Sequence, residues 1–333
     1  MTTVICAHSL ERFEQTLVCV DSVLAQVPVV PSIVVVVDHN EPLERRLRDA
    51  LGSSVQVVPN RGPAGLCGAR NTGIAHATGN AIAFLDDDAI APPTWLARLR
   101  SALASPAILA AGGHAVPVWS GPPPDYFPEE FLWVVGCSYR GLPQRGPVRN
   151  ALGCNMIFRA EVFDEVGGFD PTIGQLESTP LRRCDETELC VRARRRFPMS
   201  EIVMVEGATV EHLVPRSRQH FSYFVRRCYY EGVSKALLRR LTDERALDTE
   251  RRYATRTLSA ALVRDFRAIV RFRKAGTAIV RSAWVCVGFA AAGIGYALGS
   301  VYYAIRAPVG QPPQVTSKPH DAASRVDRGI ASA

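Results

Sequence analysis

A chain of 333 residues holds one large domain or two small ones, and 47% hydrophobic with 21% charged residues excludes a wholly disordered or fibrous protein. The net charge of +7 is unevenly placed: residues 1–170 carry 12 Lys/Arg against 17 Asp/Glu, and residues 171–333 carry 27 against 15. A basic C-terminal half calls for an anionic partner such as a phosphate group or an acidic membrane face, and without a recognised nucleic-acid module no nucleic acid is expected.

Nine cysteines, an odd number with no Cys-x-x-Cys pair, read as reduced core thiols and favour the cytoplasm. The N-terminus moves directly into β-branched residues, so no signal peptide is expected. Residues 2–7 form the first strand, and Phe13, Leu17, Val20 and Leu24 recur at helical spacing over residues 11–26. The run Ile33-Val34-Val35-Val36-Val37 ends at Asp38; an unbroken apolar run of this kind belongs to a parallel strand covered on both faces. A helix over 43–51 and a strand over 55–58 follow. A glycine-rich loop from Asn60 to Asn71 then leads into a helix over 69–77. Strands alternating with helices predict an α/β fold with a doubly wound, mostly parallel sheet.

The next strand, residues 81–85, ends at Asp86-Asp87-Asp88. Three adjacent carboxylates repel one another, so they form either a solvated turn or a seat for a hard cation. Ligands of open α/β sheets gather beyond the carboxyl ends of the strands, and the loops there present His8, Asp38, Asn60, Arg70 and the acidic triplet. The glycine loop has neither the Gly-x-Gly-x-x-Gly spacing of a dinucleotide fingerprint nor the Gly-Lys-Ser/Thr ending of a P-loop, which argues against a dehydrogenase and an ATPase.

The first strand, Asp38 closing the second, Gly-Ala-Arg-Asn-Thr-Gly from Gly68 to Gly73 and Phe-Leu-Asp-Asp-Asp from Phe84 to Asp88 together resemble the nucleotide-sugar half of glycosyltransferase family 2, with its GT-A fold. The resemblance continues through Gly153-Cys154-Asn155-Met156-Ile157-Phe158-Arg159, the family's acceptor side, and through the acidic pair Asp185-Glu186 at the head of a helix. It runs from about Thr2 to Lys235. It implies that Asp38 meets the nucleobase, with Ala7, His8 and Asn60 nearby. The acidic triplet would hold ribose and metal, with Asp86 and Asp87 on the nucleotide sugar; Arg70 would lie near the diphosphate, and Asp86, Asp88 and His212, which ends a strand within 206–214, would bind a divalent metal. Imidazole suits Mn²⁺ better than Mg²⁺. Arg216 and Arg218 would take the leaving diphosphate. Glu186 would be the catalytic base with Asp185 as alternate, and Trp133, Asn155 and Met156 would face the acceptor. The chain departs from the family pattern at Ala7-His8 and at Asp38-His39-Asn40.

The C-terminal third is helical and basic over 221–241, and residues 282–305 run without a charge, long enough to cross a bilayer. Gly295 to Gly299 supplies a small-residue packing face. Flanking Arg271, Arg273, Lys274 and Arg281 direct the catalytic domain to the cytoplasmic face of the plasma membrane, peripheral or single-span. The expected organisation is a nucleotide-sugar half over 1–110, an acceptor and catalytic half over 111–220, basic helices and the apolar segment over 221–307, and a disordered tail over 308–333. The expected activity is metal-dependent, inverting hexosyl transfer from a nucleotide-diphosphate sugar to a glycan or lipid-linked acceptor. A sugar nucleotidyltransferase and a non-catalytic nucleotide-sugar-binding membrane partner are the alternatives.

Overall fold

The computed structural model describes residues 1–28, 32–173, 184–241 and 247–305, so the expected tail at 308–333 lies outside them. The chain opens with β1 (Thr2–Ala7), α1 (Phe13–Leu24), β2 (Ser32–Asp38), α2 (Glu41–Leu51), β3 (Gln56–Asn60), α3 (Leu66–His76) and β4 (Ala81–Asp86). β1 lies between β2 and β4, parallel to both, and β2 pairs in parallel with β3. Alternate residues of the valine run enter opposite cores: Ile33, Val35 and Val37 pack on one face of the sheet, Val34 and Val36 on the other. Both faces of the strand are dry, which is why its sequence does not alternate with polar residues.

β5 (Ala89–Ile90), α4 (Trp95–Ala102), β6 (Ile108–Gly112), β7 (Ala115–Trp119), β8 (Gly146–Val148), β9 (Asn155–Arg159), α5 (Ala160–Val166), α6 (Asp185–Arg196), β10 (Glu201–Met204) and β11 (Val210–Val214) follow. β9 runs antiparallel between β4 and β6, and the eight-stranded sheet has the order β3-β2-β1-β4-β9-β6-β10-β8. The division expected at residue 110 therefore falls inside β6, and the two halves share one sheet. A second sheet, β5-β11-β7, stands at the carboxyl end of β4.

Two expectations shift. Helix α3 starts at Leu66, three residues early, because Gly65 takes φ +105 and turns the loop directly into the first helical turn. Strand β11 starts at Val210 instead of Glu206, since the chain turns through Glu206 and Gly207; His212 is consequently its central residue and pairs with Ala89 and Pro117.

The C-terminal third consists of α7 (Phe221–Leu241), α8 (Asp248–Arg252), a π-helical turn at Tyr253–Leu258, α9 (Ser259–Val270) and α10 (Ala275–Ile305). Helix α10 lies along α7 with backbones nearly touching: a Cβ on Gly232 would stand 1.9 Å from the Ala292 carbonyl oxygen, and one on Gly295 1.9 Å from that of Tyr229. The small-residue face thus packs within the molecule. An aromatic cluster fixes both helices on the catalytic domain, with the Phe224 and Trp284 ring centroids 4.7 Å apart. Seven of the nine cysteines are buried and none forms a disulfide, but Cys286 on α10 is exposed.

Candidate active site

A cavity of about 1220 Å³ lies beyond the carboxyl ends of β1, β2 and β4 and runs under α7 and α8 to the flank of α10. At one end Asp86 closes β4, and Asp88 and His212 meet where β11 passes the turn. His212 Nε2 lies 3.2 Å from Asp88 Oδ1, and Asp86, Asp88 and His212 offer ligand atoms within 4.8 Å of one another. One divalent ion could span that spread at bond lengths of about 2.0–2.2 Å. The donor set suits such an ion in a second respect. Asp87 Oδ2 is buried without a hydrogen-bond partner among the described residues, and Arg12 and Arg218 face the acidic triplet at Asp87 and Asp88, with Arg70 at Asp86.

Electrostatics tie these groups together. Burial alone would raise the Asp88 carboxyl, but the His212 hydrogen bond and charge, with Arg12 and Arg218, hold it well below the usual carboxylate range. Burial would likewise lower His212, yet its bond to Asp88 pushes it up to about 10, so a metal at this position takes the place of a proton. Asp87, desolvated beside two other carboxylates, is pushed up to about 7 despite Arg12 at 2.8 Å. Arg12, which also stands 3.1 Å from Asp88, was not singled out by the sequence. A cation one turn after β1, matching an acidic triplet at the end of β4, is the signal that could have found it.

Asp38 lines the cavity and accepts from Asn60 Nδ2 at 2.6 Å and from the Gly65 N–H at 2.8 Å. Asn60 is itself buried, bonded to Pro63, Gly62 and Thr72, and does not line the cavity; it positions Asp38 instead of meeting a ligand. Ala7 and His8 line the same wall. Arg70 lines the cavity, is 3% exposed and binds Asp185 at 2.6 Å, Asp86 at 3.4 Å and the Gly153 carbonyl at 2.8 Å. It therefore welds the metal end to the head of α6. Asp185 and Glu186 are the first two residues of that helix. Glu186 is half-buried on the cavity wall, and burial, reinforced by the Asp185 charge, pushes its carboxyl up to about 7.

Besides Asn60, three expected positions are corrected. Asn155 is fully buried and bonds Trp95 Nε1 and the carbonyls of His114 and Ala208, and Met156 is fully buried in the core. β9 pairs with strands on both sides, so these residues are structural and reach no acceptor. Arg216 turns outward to the Ser120 carbonyl at 3.0 Å, leaving Arg218, 3.8 Å from Asp88, as the cation that faces the site. Trp133 does line the cavity, with the Arg227 guanidinium 5.6 Å from its ring centroid.

Residues 3–167 match the family model described as glycosyl transferase family 2. The glucosyl-dolichyl phosphate glucuronosyltransferase of Haloferax volcanii is 35% identical over 242 residues, covering 72% of this chain and 77% of that protein. This chain belongs to glycosyltransferase family 2. As a member of that family it is a nucleotide-sugar glycosyltransferase. The fold agrees with solved glycosyltransferases. A mannosyltransferase from Pyrobaculum calidifontis, in complex with GDP-Man and Mn²⁺, superposes with a TM-score of 0.59 at 17% identity over 91% of this chain and 87% of that one. GalNAc-T7, in complex with UDP, GalNAc and Mn²⁺, does so at 0.52 and 15% over 77% and 57%. The family 2 reading gives the acidic triplet its role as an Asp-x-Asp site on a GT-A sheet.

Proposed function

We propose that this chain is an inverting family 2 glycosyltransferase that works at a membrane surface and moves a sugar from a nucleotide-diphosphate donor to a hydroxyl of a lipid-linked acceptor. The observation that carries this reading is the single cavity in which Asp86, Asp88 and His212 share a wall with Glu186, the two ends linked by Arg70. Asp38, Ala7 and His8 hold the nucleoside. Asp86, Asp88 and His212 hold a divalent ion, Mn²⁺ in preference to Mg²⁺ because one ligand is imidazole. Bound there, the ion supplies Lewis-acid neutralisation of the departing diphosphate.

The remaining chemistry belongs to the side chains. Arg12 and Arg218 add positive charge beside the diphosphate, where negative charge grows as the anomeric C–O bond breaks. Glu186 accepts the proton of the acceptor hydroxyl as its oxygen bonds to the anomeric carbon from the opposite side, and the nucleoside diphosphate leaves with the electron pair. Asp185 is held by Arg70 and orients the first turn of α6.

The acceptor class draws support from the Haloferax relative, whose name puts its own acceptor on a dolichyl phosphate. The membrane location is supported by the outer faces of α9 and α10. Phe266 and Val270 of α9 and Ile294, Leu298 and Val301 of α10 are exposed there, and Phe272 stands exposed among Arg271, Arg273 and Lys274 at the turn between the helices. Helix α10 is long and apolar enough to cross a bilayer, but its packing along α7 and on the aromatic cluster favours a peripheral arrangement on the cytoplasmic leaflet. Incubating the chain with a panel of nucleotide sugars, Mn²⁺ and a polyprenyl-phosphate-linked sugar should release nucleoside diphosphate for one donor and elongate the lipid. Release from no donor, with nucleotide bound, would leave a binding protein in place of an enzyme.

A further inference from the structure

Beyond Glu186 the cavity wall changes sign. Helix α7 presents Arg227, Glu231, Lys235 and Arg239 at four-residue intervals, one above the other on the face turned into the cavity. Glu231 accepts from Arg227 at 2.8 Å and pairs with Lys235 at 3.0 Å; Lys235 also reaches Glu250 of α8 at 2.9 Å, and Glu250 pairs with Arg149, just after β8, at 2.7 Å. Three cations and two carboxylates from three separate elements thus form one partly buried network with a net charge of +1 among the described residues. Burial would raise both carboxyls, but the surrounding cations hold them below the usual range, Glu231 at about 2, so the network keeps that charge across ordinary pH. Arginines 239, 251 and 252 extend the positive excess along the wall, which ends at Phe289, Gly293 and Tyr296 of α10, the helix with the exposed apolar outer face.

A positive wall inside a cavity calls for an anion, and donor diphosphate chemistry sits at the other end, beside the aspartates. We infer that the Arg149–Lys235 network is a second anion subsite, which receives the phosphodiester of a lipid-phosphate-linked sugar while that sugar's hydroxyl lies at Glu186 and its hydrocarbon leaves past Phe289 and Tyr296. The inference rests on the lipid-linked acceptor reading above. A single excess charge matches a monoanionic diester. The Lys235 ammonium is ion-paired with two carboxylates, its side chain is 15% exposed and it lines the cavity, where a phosphate oxygen would meet it. Arg149 is 14% exposed in its side chain and brings a planar fork to the same place.

The test is binding, independent of turnover. The full chain, loaded with UDP and Mn²⁺, is titrated calorimetrically with dibutyl phosphate, with neutral tributyl phosphate and with inorganic phosphate. The diester should bind, and bind more tightly than either comparator. Lys235→Gln and Arg149→Gln should each weaken it by roughly ten- to hundredfold, the worth of one hydrogen bond to a charged group. Lys235→Arg should restore most of the affinity, and UDP with Mn²⁺ should bind all three variants as it does the wild type, which also reports that they fold. Unchanged diester affinity in Lys235→Gln and Arg149→Gln overturns the subsite. Inorganic phosphate binding as tightly as the diester overturns its assignment to a lipid-linked group. Diester binding by a chain that transfers no sugar would retain the subsite while removing the catalytic reading.

Discussion

Glu186 holds two opposing properties in one carboxyl. In its proposed role as base it must be ionised, and its value of about 7 means that kcat/KM should climb as pH rises from 5.5 and level off above about 7; a flat profile would move the proton elsewhere. Glu186→Gln should reduce transfer by about 10²- to 10⁴-fold with nucleotide-sugar affinity unchanged, as measured by single-turnover assay and calorimetry. The same shift affects stability. A carboxyl whose folded-state value is raised contributes stability that is present below its unfolded value of about 4.5 and is lost as pH rises through about 7. Glu186→Gln should therefore stabilise the chain at pH 8 by roughly 2 kcal/mol and have little effect at pH 4.5, visible as a higher Tm only at the higher pH. Asp88→Asn, by contrast, removes a proposed metal ligand, and Mn²⁺-dependent nucleotide binding should fall; an unchanged Mn²⁺ titration would remove Asp88 from the site. The sequence brought Asp185 and Glu186 to one helical turn, and only the family resemblance favoured Glu186 over Asp185. What separates them is Arg70, 115 positions away, whose bond to Asp185 leaves Glu186 as the carboxylate open to the cavity. Long-range pairing of this kind has no local spacing to betray it.

Elements were legible where the physics is local and obscure where it is not. The valine run of β2 and the acidic end of β4 follow from local composition, because burial on both faces writes itself into neighbouring residues, and the extent of α7 follows from its helix-favouring composition. β7 and β8 were hidden in a stretch rich in Gly, Pro and aromatics, since strands of five and three residues at a sheet edge need no apolar alternation. Asn155 misled in another way: a polar residue in a family motif suggests a ligand, yet here its three bonds satisfy buried groups between strands. The charged ladder of α7 was also readable at four-residue spacing, but its meaning depended on α8 and Arg149 closing around it. The close contact of α7 with α10 yields its own prediction. Gly295→Leu would drive a side chain into the Tyr229 carbonyl and should cost roughly 1–3 kcal/mol, lowering Tm by about 2–4 °C for each. An unchanged melt would mean that the two helices separate readily in solution.

At the scale of the whole molecule, charge and apolar surface are segregated. The acidic N-terminal half supplies the aspartates of the proposed donor site, and the basic C-terminal half supplies the α7 ladder and the α9–α10 turn, where Phe272 is 91% exposed between Arg271 and Arg273. Cosedimentation with vesicles should rise steeply with the fraction of phosphatidylserine and fall with salt, about 1 kcal/mol being at stake for each basic residue at the surface. Replacing Arg271, Arg273 and Lys274 together by Glu should release the chain from such vesicles, with nucleotide binding intact; retention would assign attachment to the apolar faces alone. Helix α10 is a wall of the cavity on one side and an apolar exterior on the other. With the lipid-linked acceptor proposed above, adsorption and acceptor capture would share one piece of structure, and the search for substrate would become two-dimensional. Turnover should then follow the mole fraction of acceptor within the leaflet, so that adding inert lipid slows the enzyme by surface dilution even when the total amount of acceptor in the tube stays constant.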